Sequence, residues 1–293
     1  MPLGASELIL NADGSIYHLN LLPEDIAQTI FLVGDQNRVA RVSARFDRIE
    51  IKKERREFIT HTGYIGDQRI SVISTGIGTD NIDIVVNELD ALANIDFHTR
   101  EPKAEHTALN LVRLGTSGSI QEDIEVDMIL GSNYAIGFDN VIHYYKSEHV
   151  QETDIQNAFA SYAKWPSEQS RPYVMKGTEK MKSLFADPEL IDGFTGTNVG
   201  FYGPQGRKLR VELKEHNLSE KLSNFEYNGL RITNLEMETS AIYALSALLG
   251  HHAYSINCIL AGRAQGQFSP DPAASVDNLI DFAIRKMRKA WNG

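Results

Sequence analysis

Short runs of Val, Ile, Leu and Phe alternate along this chain with stretches whose apolar residues recur every three or four positions. The first pattern predicts buried strands and the second amphipathic helices, and their alternation predicts an α/β fold built on a largely buried sheet. Strands are expected at 30–33, 57–63, 69–75, 109–114, 128–136, 198–202 and 253–260. The clearest helices are 81–93, where Ile82, Val85, Val86, Leu89 and Leu92 share one side, and 237–249, with Met237, Ala241, Leu245 and Leu248. Val276, Leu279, Ile280, Ala283 and Met287 predict a closing helix that runs toward Trp291. Residues 143–188 show no clear period and include Pro166 and Pro172, so they read as a peripheral excursion of the same domain.

At 293 residues the chain can bury a full core, and one domain spanning 1–293 is expected. A hydrophobic fraction of 42% and a charged fraction of 23% are those of an ordinary globular protein and argue against disorder. The formal net charge of -10 argues against nucleic acid or an anionic membrane as the main partner, since both call for a broad basic field, but it leaves room for a local basic pocket. No apolar run approaches the ~18 residues of a spanning helix. The first twenty residues, with Glu7, Asn11 and Asp13, do not read as a signal peptide. The single cysteine, Cys258, lies in an apolar run and has no internal disulfide partner. It is expected to be a buried strand residue, and its isolation suits a reducing, cytoplasmic compartment.

Candidate chemistry gathers at turns. Gly34 to Arg38 follows a predicted strand, where a glycine exposes backbone N–H groups and Arg38 adds a fork that matches a phosphate edge. Arg113-Leu-Gly115-Thr116-Ser-Gly118 repeats the theme, and a charge ending so apolar a run would be costly without a partner. Arg56 offers a third cation, although taken alone it is better explained as solvated surface charge.

Two later stretches suit a base and its sugar. In Phe201-Tyr-Gly-Pro-Gln205-Gly-Arg207, a Gln and an Arg supply an amide and a guanidinium fork for a flat heterocycle with carbonyl and N–H edges, while Phe201 offers a stacking face. In Glu236-Met237-Glu238, two carboxylates suit vicinal hydroxyls. Gly-Pro-Gln-Gly is also ordinary turn chemistry, and a Glu at a helix start is favoured by the helix dipole alone. Residues 76–81 begin like a dinucleotide loop but have Asn81 in place of the third glycine, and residues 115–119 resemble a nucleophile elbow but end in Ser. The pair His251-His252 stands without a metal-binding pattern.

Taken in order, six motifs resemble the nucleoside phosphorylases of the hexameric type: Gly34-Asp-x-x-Arg38, Arg56-Glu57-Phe58, residues 74–78, Arg113-x-Gly115-Thr116-x-Gly118, Phe201-Tyr-x-x-Gln205-x-Arg207 and Glu236-Met237-Glu238. The resemblance implies a mixed, barrel-like central sheet flanked by helices, and phosphorolysis of a nucleoside with phosphate as co-substrate and no other cofactor. It implies a phosphate site of Gly34, Arg38, Arg113 and Thr116, completed by Arg56 from a neighbouring subunit, and His18 from that neighbour against the ribose. Met237, Glu238 and, close behind, Glu236 would hold the sugar; Phe201, Gln205 and Arg207 the base, with Arg263 acting through water. Arg113, Glu238 and Arg207 would carry the chemistry. The resemblance also implies a monovalent cation such as K+ at the dimer interface, at Glu57, Ile77 and Asn81, but the family usually has serine where this chain has Asn81.

A homodimer is the smallest complete assembly on this reading, and a homohexamer follows by analogy. The stretch Ile259 to Gln265 lacks the carboxylate with which purine enzymes protonate their base, so uridine is expected over inosine or adenosine. Gly203-Pro204 reverses the family's order, which leaves selectivity among uridine, deoxyuridine and thymidine open. A hydrolytic nucleosidase of the same fold should lack the phosphate arginines, and a noncatalytic nucleoside-binding protein would have no need of them. Arg113→Ala is expected to abolish phosphorolysis and leave the fold intact.

Overall fold

A computed structural model describes residues 1–292, and among them eleven strands form one mixed sheet. In chain order these are β1 (Thr29–Val33), β2 (Arg48–Arg55), β3 (Phe58–Ile65), β4 (Gln68–Ser74), β5 (Asn110–Ser119), β6 (Ile129–Gly137), β7 (Tyr173–Lys176), β8 (Leu190–Thr197), β9 (Asn234–Glu236), β10 (His252–Gly262) and β11 (Gln267–Phe268). Five of them close on themselves in the order β10, β6, β8, β9, β5 and back to β10, which makes the barrel. From β5 the sheet continues outward through β1, β4, β3 and β2.

Helices α1 (Gln36–Ser43), α2 (Thr79–Asn94), α3 (Thr153–Ala163), α4 (Glu179–Phe185), α5 (Leu218–Ser223), α6 (Thr239–Leu248) and α7 (Pro272–Asn292) surround it. No helix among the described residues is long and apolar enough to cross a membrane.

Burial explains the elements. β1 is buried at every position because parallel neighbours β4 and β5 flank it, so it reads as a continuous apolar run. α2 turns Ile82, Val85, Val86 and Leu89 into the same apolar cluster that receives α6, and the first eight residues of α6 are all buried. A helix enclosed in this way is apolar on every side, as its sequence is.

The predicted strand at 198–202 does not form. β8 ends at Thr197, and the chain folds back into a tight turn over Gly203–Gln205 that closes at Gly206 with φ 70°. Gly200 makes the fold-back possible, since a Cβ there would lie 2.9 Å from Pro204 Cγ. The excursion at 143–188 is less peripheral than its sequence suggests: Tyr173–Lys176 is β7, paired with β6, with Tyr173 buried against Asp139 and Ser240. Its four residues are too few to display a period. β2 was hidden for the opposite reason, being a charge-rich strand at the edge of the sheet. The helix expected from 237 starts at Thr239, because the Glu236 carboxylate takes up the N–H groups of Glu238 and Thr239 and caps the turn.

Candidate active site

A cavity of about 790 Å³ opens where the turns after β1 and β4, the second half of β5, the loop after β8 and the ends of β9 and β10 converge. Gly34, Arg38, Arg113, Thr116, Phe201, Gln205, Arg207, Glu236, Met237 and Glu238 all line it, although they span two hundred residues of sequence.

At one end lie two guanidinium groups. Arg38, on α1, is buried; its Nη1 donates to Leu114 O (3.0 Å) while its Nε has no partner. Burial, with some help from the neighbouring Arg113 charge, pulls its pKa below the ordinary arginine value. A buried cation with an idle donor is costly unless an anion arrives. The first turn of α1 and the half-buried Thr116 border the same space and add donors of the kind anions use.

Arg113 is handled differently. Its Nη2 donates to Glu238 Oε2 and lies 3.1 Å from Glu236 Oε2, while Nη1 donates to Asn257 Oδ1 (2.5 Å). Burial alone would lower its pKa, but the two carboxylates outweigh burial and hold it fully charged. For Glu238 burial dominates, Arg113 opposes it and Glu236 adds to it, so this carboxyl sits above the usual range. Two carboxylates share one guanidinium, and Glu238 is the one left short of charge compensation.

The two glutamates are not equivalent. Glu236 is saturated by Thr197 Oγ1 (2.6 Å), the N–H groups of Glu238 and Thr239 and the Arg113 contact. Glu238 accepts from Gly78 N at 2.8 Å and from Arg113, which leaves lone pairs facing the cavity beside Met237.

At the other end, Arg207 Cζ stacks 4.0 Å above the Phe201 ring, and its Nη1 donates to Phe201 O (2.8 Å) and to Gln205 Oε1. Gln205 is buried, and among the described residues no protein acceptor takes its Nε2 protons. The result is a stacking face next to an amide donor and a guanidinium edge. Arg263 stands behind Arg207, half-buried with Nη1 unpartnered, its pKa lowered to about 10 by burial and by the Arg207 charge. Leu260 and Ala261 also line the cavity.

His18 and Arg56 lie outside this cavity. The His18 ring pairs with Glu88 on α2 (2.6 Å), and Arg56 is exposed over the Tyr17 ring at 5.7 Å. Glu57, Ile77 and Asn81 gather at the margin. There the Asn81 Nδ2 donor faces the Ile77 carbonyl at 3.5 Å, and the Asn81 amide packs on Gly76, whose Cβ, if it had one, would lie 2.3 Å from it.

Several site groups escaped sequence reasoning. Asn257 lay inside an apolar strand and Thr197 at the end of another. Gly78 and Gly118 fell within matched motifs, but no role was assigned to either. Only the glycine turns carried a signal, that of backbone made accessible.

A second cluster, Asp90, His106 and His251, has ligand atoms within 4.8 Å of one another. His251 Nδ1 accepts from Leu109 N (3.2 Å), so the proton of the neutral ring sits on Nε2, 3.2 Å from Asp90 Oδ1. A nitrogen carrying that proton cannot ligate a metal. His251 is a buried structural histidine and His252 opens β10.

Buried arginines, a pair of carboxylates and an aromatic ring around one cavity of a barrel-centred α/β fold suit a small molecule. Residues 28–290 match the model of the phosphorylase superfamily, and the chain belongs to that family. It is 27% identical over 257 residues to the uridine phosphorylase of Thermococcus kodakarensis, covering 87% of this chain and 80% of that one. Against the uridine phosphorylase of Haemophilus influenzae it is 27% identical over 253 residues, with 85% and 87% covered. The solved structure of a Trypanosoma brucei nucleoside phosphorylase, described as showing uridine phosphorylase activity, superposes with a TM-score of 0.85 at 27% identity over 96% of this chain and 99% of its own.

Proposed function

We propose that this protein is a pentosyltransferase that cleaves uridine with inorganic phosphate to give uracil and ribose 1-phosphate. The observation that carries the reading is the set of groups around one cavity: Arg38 with an idle donor beside Arg113, Glu238 in contact with Arg113, and the cluster of Gln205, Arg207 and Phe201. Those groups match the chemistry of phosphate, sugar and base in turn.

Arg38, Arg113, Thr116 and the backbone at Gly34 hold phosphate below the anomeric carbon. Glu238 accepts from the ribose hydroxyls beside Met237, while Glu236 keeps α6 and Arg113 in place. A phosphate oxygen bonds to C1′ as the C1′–N1 bond breaks through a sugar of oxocarbenium character, and the bonding pair leaves with the base. Uracil accepts that charge as a delocalised anion, stabilised by Arg207 and by Arg263 behind it, and then takes a proton from solvent. Positioning and electrostatics supply the rate, with no covalent enzyme intermediate. The absence of a carboxylate from 259–265 favours a leaving group that departs as an anion over a purine that must be protonated.

His18 and Arg56, which lie outside their own cavity, are assigned to the site of a second copy, so the working unit is at least a homodimer. A cytoplasmic location suits the single, buried Cys258. Phosphate is the co-substrate. The Asn81 amide, with its donor on the Ile77 carbonyl, fits a monovalent cation poorly.

The test is incubation of the purified protein with uridine, with and without phosphate, following free uracil, with thymidine and inosine as comparison substrates. Phosphate-dependent release from uridine, and much slower turnover of inosine, supports the reading; release independent of phosphate removes it.

A further inference from the structure

Asn257 is fully buried on β10 between Ile256 and Cys258, where an apolar side chain would be the economical choice. Its place in the sheet explains its presence. β5 and β10 run parallel with Asn257 opposite Gly115, and Arg113, two residues before Gly115, shares that face. The Arg113 side chain folds over Gly115 to reach Asn257, and a Cβ on Gly115 would lie 1.6 Å from Nη1 and 2.4 Å from Asn257 Oδ1. Glycine is therefore required for the bond itself. The amide is oriented by its other end, with Nδ2 3.3 Å from Ser255 Oγ and 3.4 Å from Ser132 Oγ, which leaves Oδ1 for the guanidinium.

We infer that Asn257 is the positioning residue for Arg113: its neutral acceptor holds Nη1 over Gly115 and so fixes the orientation in which the guanidinium meets phosphate. A guanidinium beside two carboxylates has more than one fork-to-fork arrangement open to it. With Nη1 held by Asn257, Glu238 is bound through Nη2 alone. An amide achieves this without a third negative charge, which would compete with the incoming anion. The inference rests on the phosphorolysis reading for its substrate, and it concerns an orientation that phosphate binding alone can report.

The test compares wild type, Asn257→Leu and Asn257→Asp by KM for phosphate, KM for uridine and the rise in melting temperature on adding inorganic phosphate. Loss of a hydrogen bond to a charged group corresponds to about tenfold or more in affinity. Asn257→Leu should raise the phosphate KM at least about fivefold, leave the uridine KM within about twofold and diminish the phosphate-induced thermal shift. Asn257→Asp keeps the acceptor but adds charge, so its phosphate KM should be raised at neutral pH and should fall back toward wild type as pH is lowered and the introduced carboxyl is protonated. If Asn257→Leu does not fold, that pH signature decides. A smaller phosphate effect, an equal shift in both KM values, or an Asn257→Asp phosphate KM that ignores pH overturns the inference. A wild-type protein that binds phosphate yet releases no uracil would instead remove the phosphorolysis reading, and the thermal shift would still report on Asn257.

Discussion

The backbone N–H of Gly78 donates to Glu238 Oε1 across 2.8 Å, tying the turn ahead of α2 to the turn ahead of α6. Gly78 holds φ at 97°, a conformation that side-chain-bearing residues avoid, and a Cβ there would meet nothing within 4 Å. Gly78→Ala is therefore a pure conformational test, with backbone strain of about 1–3 kcal/mol. It should lower the melting temperature and reduce kcat/KM for uridine by loosening Glu238, as thermal melts and steady-state kinetics will show.

The two site arginines should respond oppositely to removal. Arg38 is buried with an idle Nε, so Arg38→Met relieves an unpaired cation and should leave the melting temperature unchanged or raised while phosphate-dependent turnover collapses. Arg113 lies between Glu236 and Glu238, and its loss strands two buried carboxylates at a cost of about 3–5 kcal/mol. Arg113→Ala should therefore lose both activity and stability, contrary to the expectation from sequence that the fold would be untouched. Paired melting curves and assays separate the two cases.

Glu238 must be ionised to accept the ribose hydroxyls, and burial holds its carboxyl above the ordinary range. It takes up its proton at a higher pH than an exposed glutamate, whose pKa is about 4.3. The acidic limb of the kcat/KM profile for uridine should accordingly have its midpoint above that value. For stability the sign reverses: the folded state binds this proton more tightly than the unfolded chain, so Glu238 contributes most below its unfolded pKa and loses that contribution as pH rises through the folded value.

Arg207→Lys keeps a charge at the base end but removes the fork that holds Gln205 Oε1 and the stack on Phe201. Uridine kcat/KM should fall by about tenfold or more, the scale of a lost charge-assisted hydrogen bond. The phosphate KM should stay near wild type, since the phosphate end is untouched; initial rates against each substrate will show the split.

A shared site predicts complementation. Arg56→Ala and Arg38→Met should each be nearly inactive alone, but their mixture after subunit exchange should recover activity, because a mixed pair contains one site with both arginines. Sites complete within one chain would show no recovery.

How much of this was legible beforehand depended on the kind of signal each residue leaves. The apolar periods of α2 and α6 and the continuous run of β1 declared themselves because burial on several sides imposes composition. β2, β7 and β9 did not, being respectively too charged, too short and too short to show a period. The loop at 198–202 misled because its apolar residues imitate a strand, whereas Gly200 and Pro204 fold it back. Arg113 was conspicuous as a charge in an apolar run. Asn257 and Thr197 were silent, because what they contribute is a single directed bond that only the register of neighbouring strands reveals.

The most direct test follows phosphorus. Uridine and inorganic phosphate incubated with the protein should give ribose 1-phosphate by phosphorus NMR, mole for mole with free uracil, and no uracil when phosphate is left out. Uracil accompanied by free ribose, with the phosphate signal undiminished, would contradict the account.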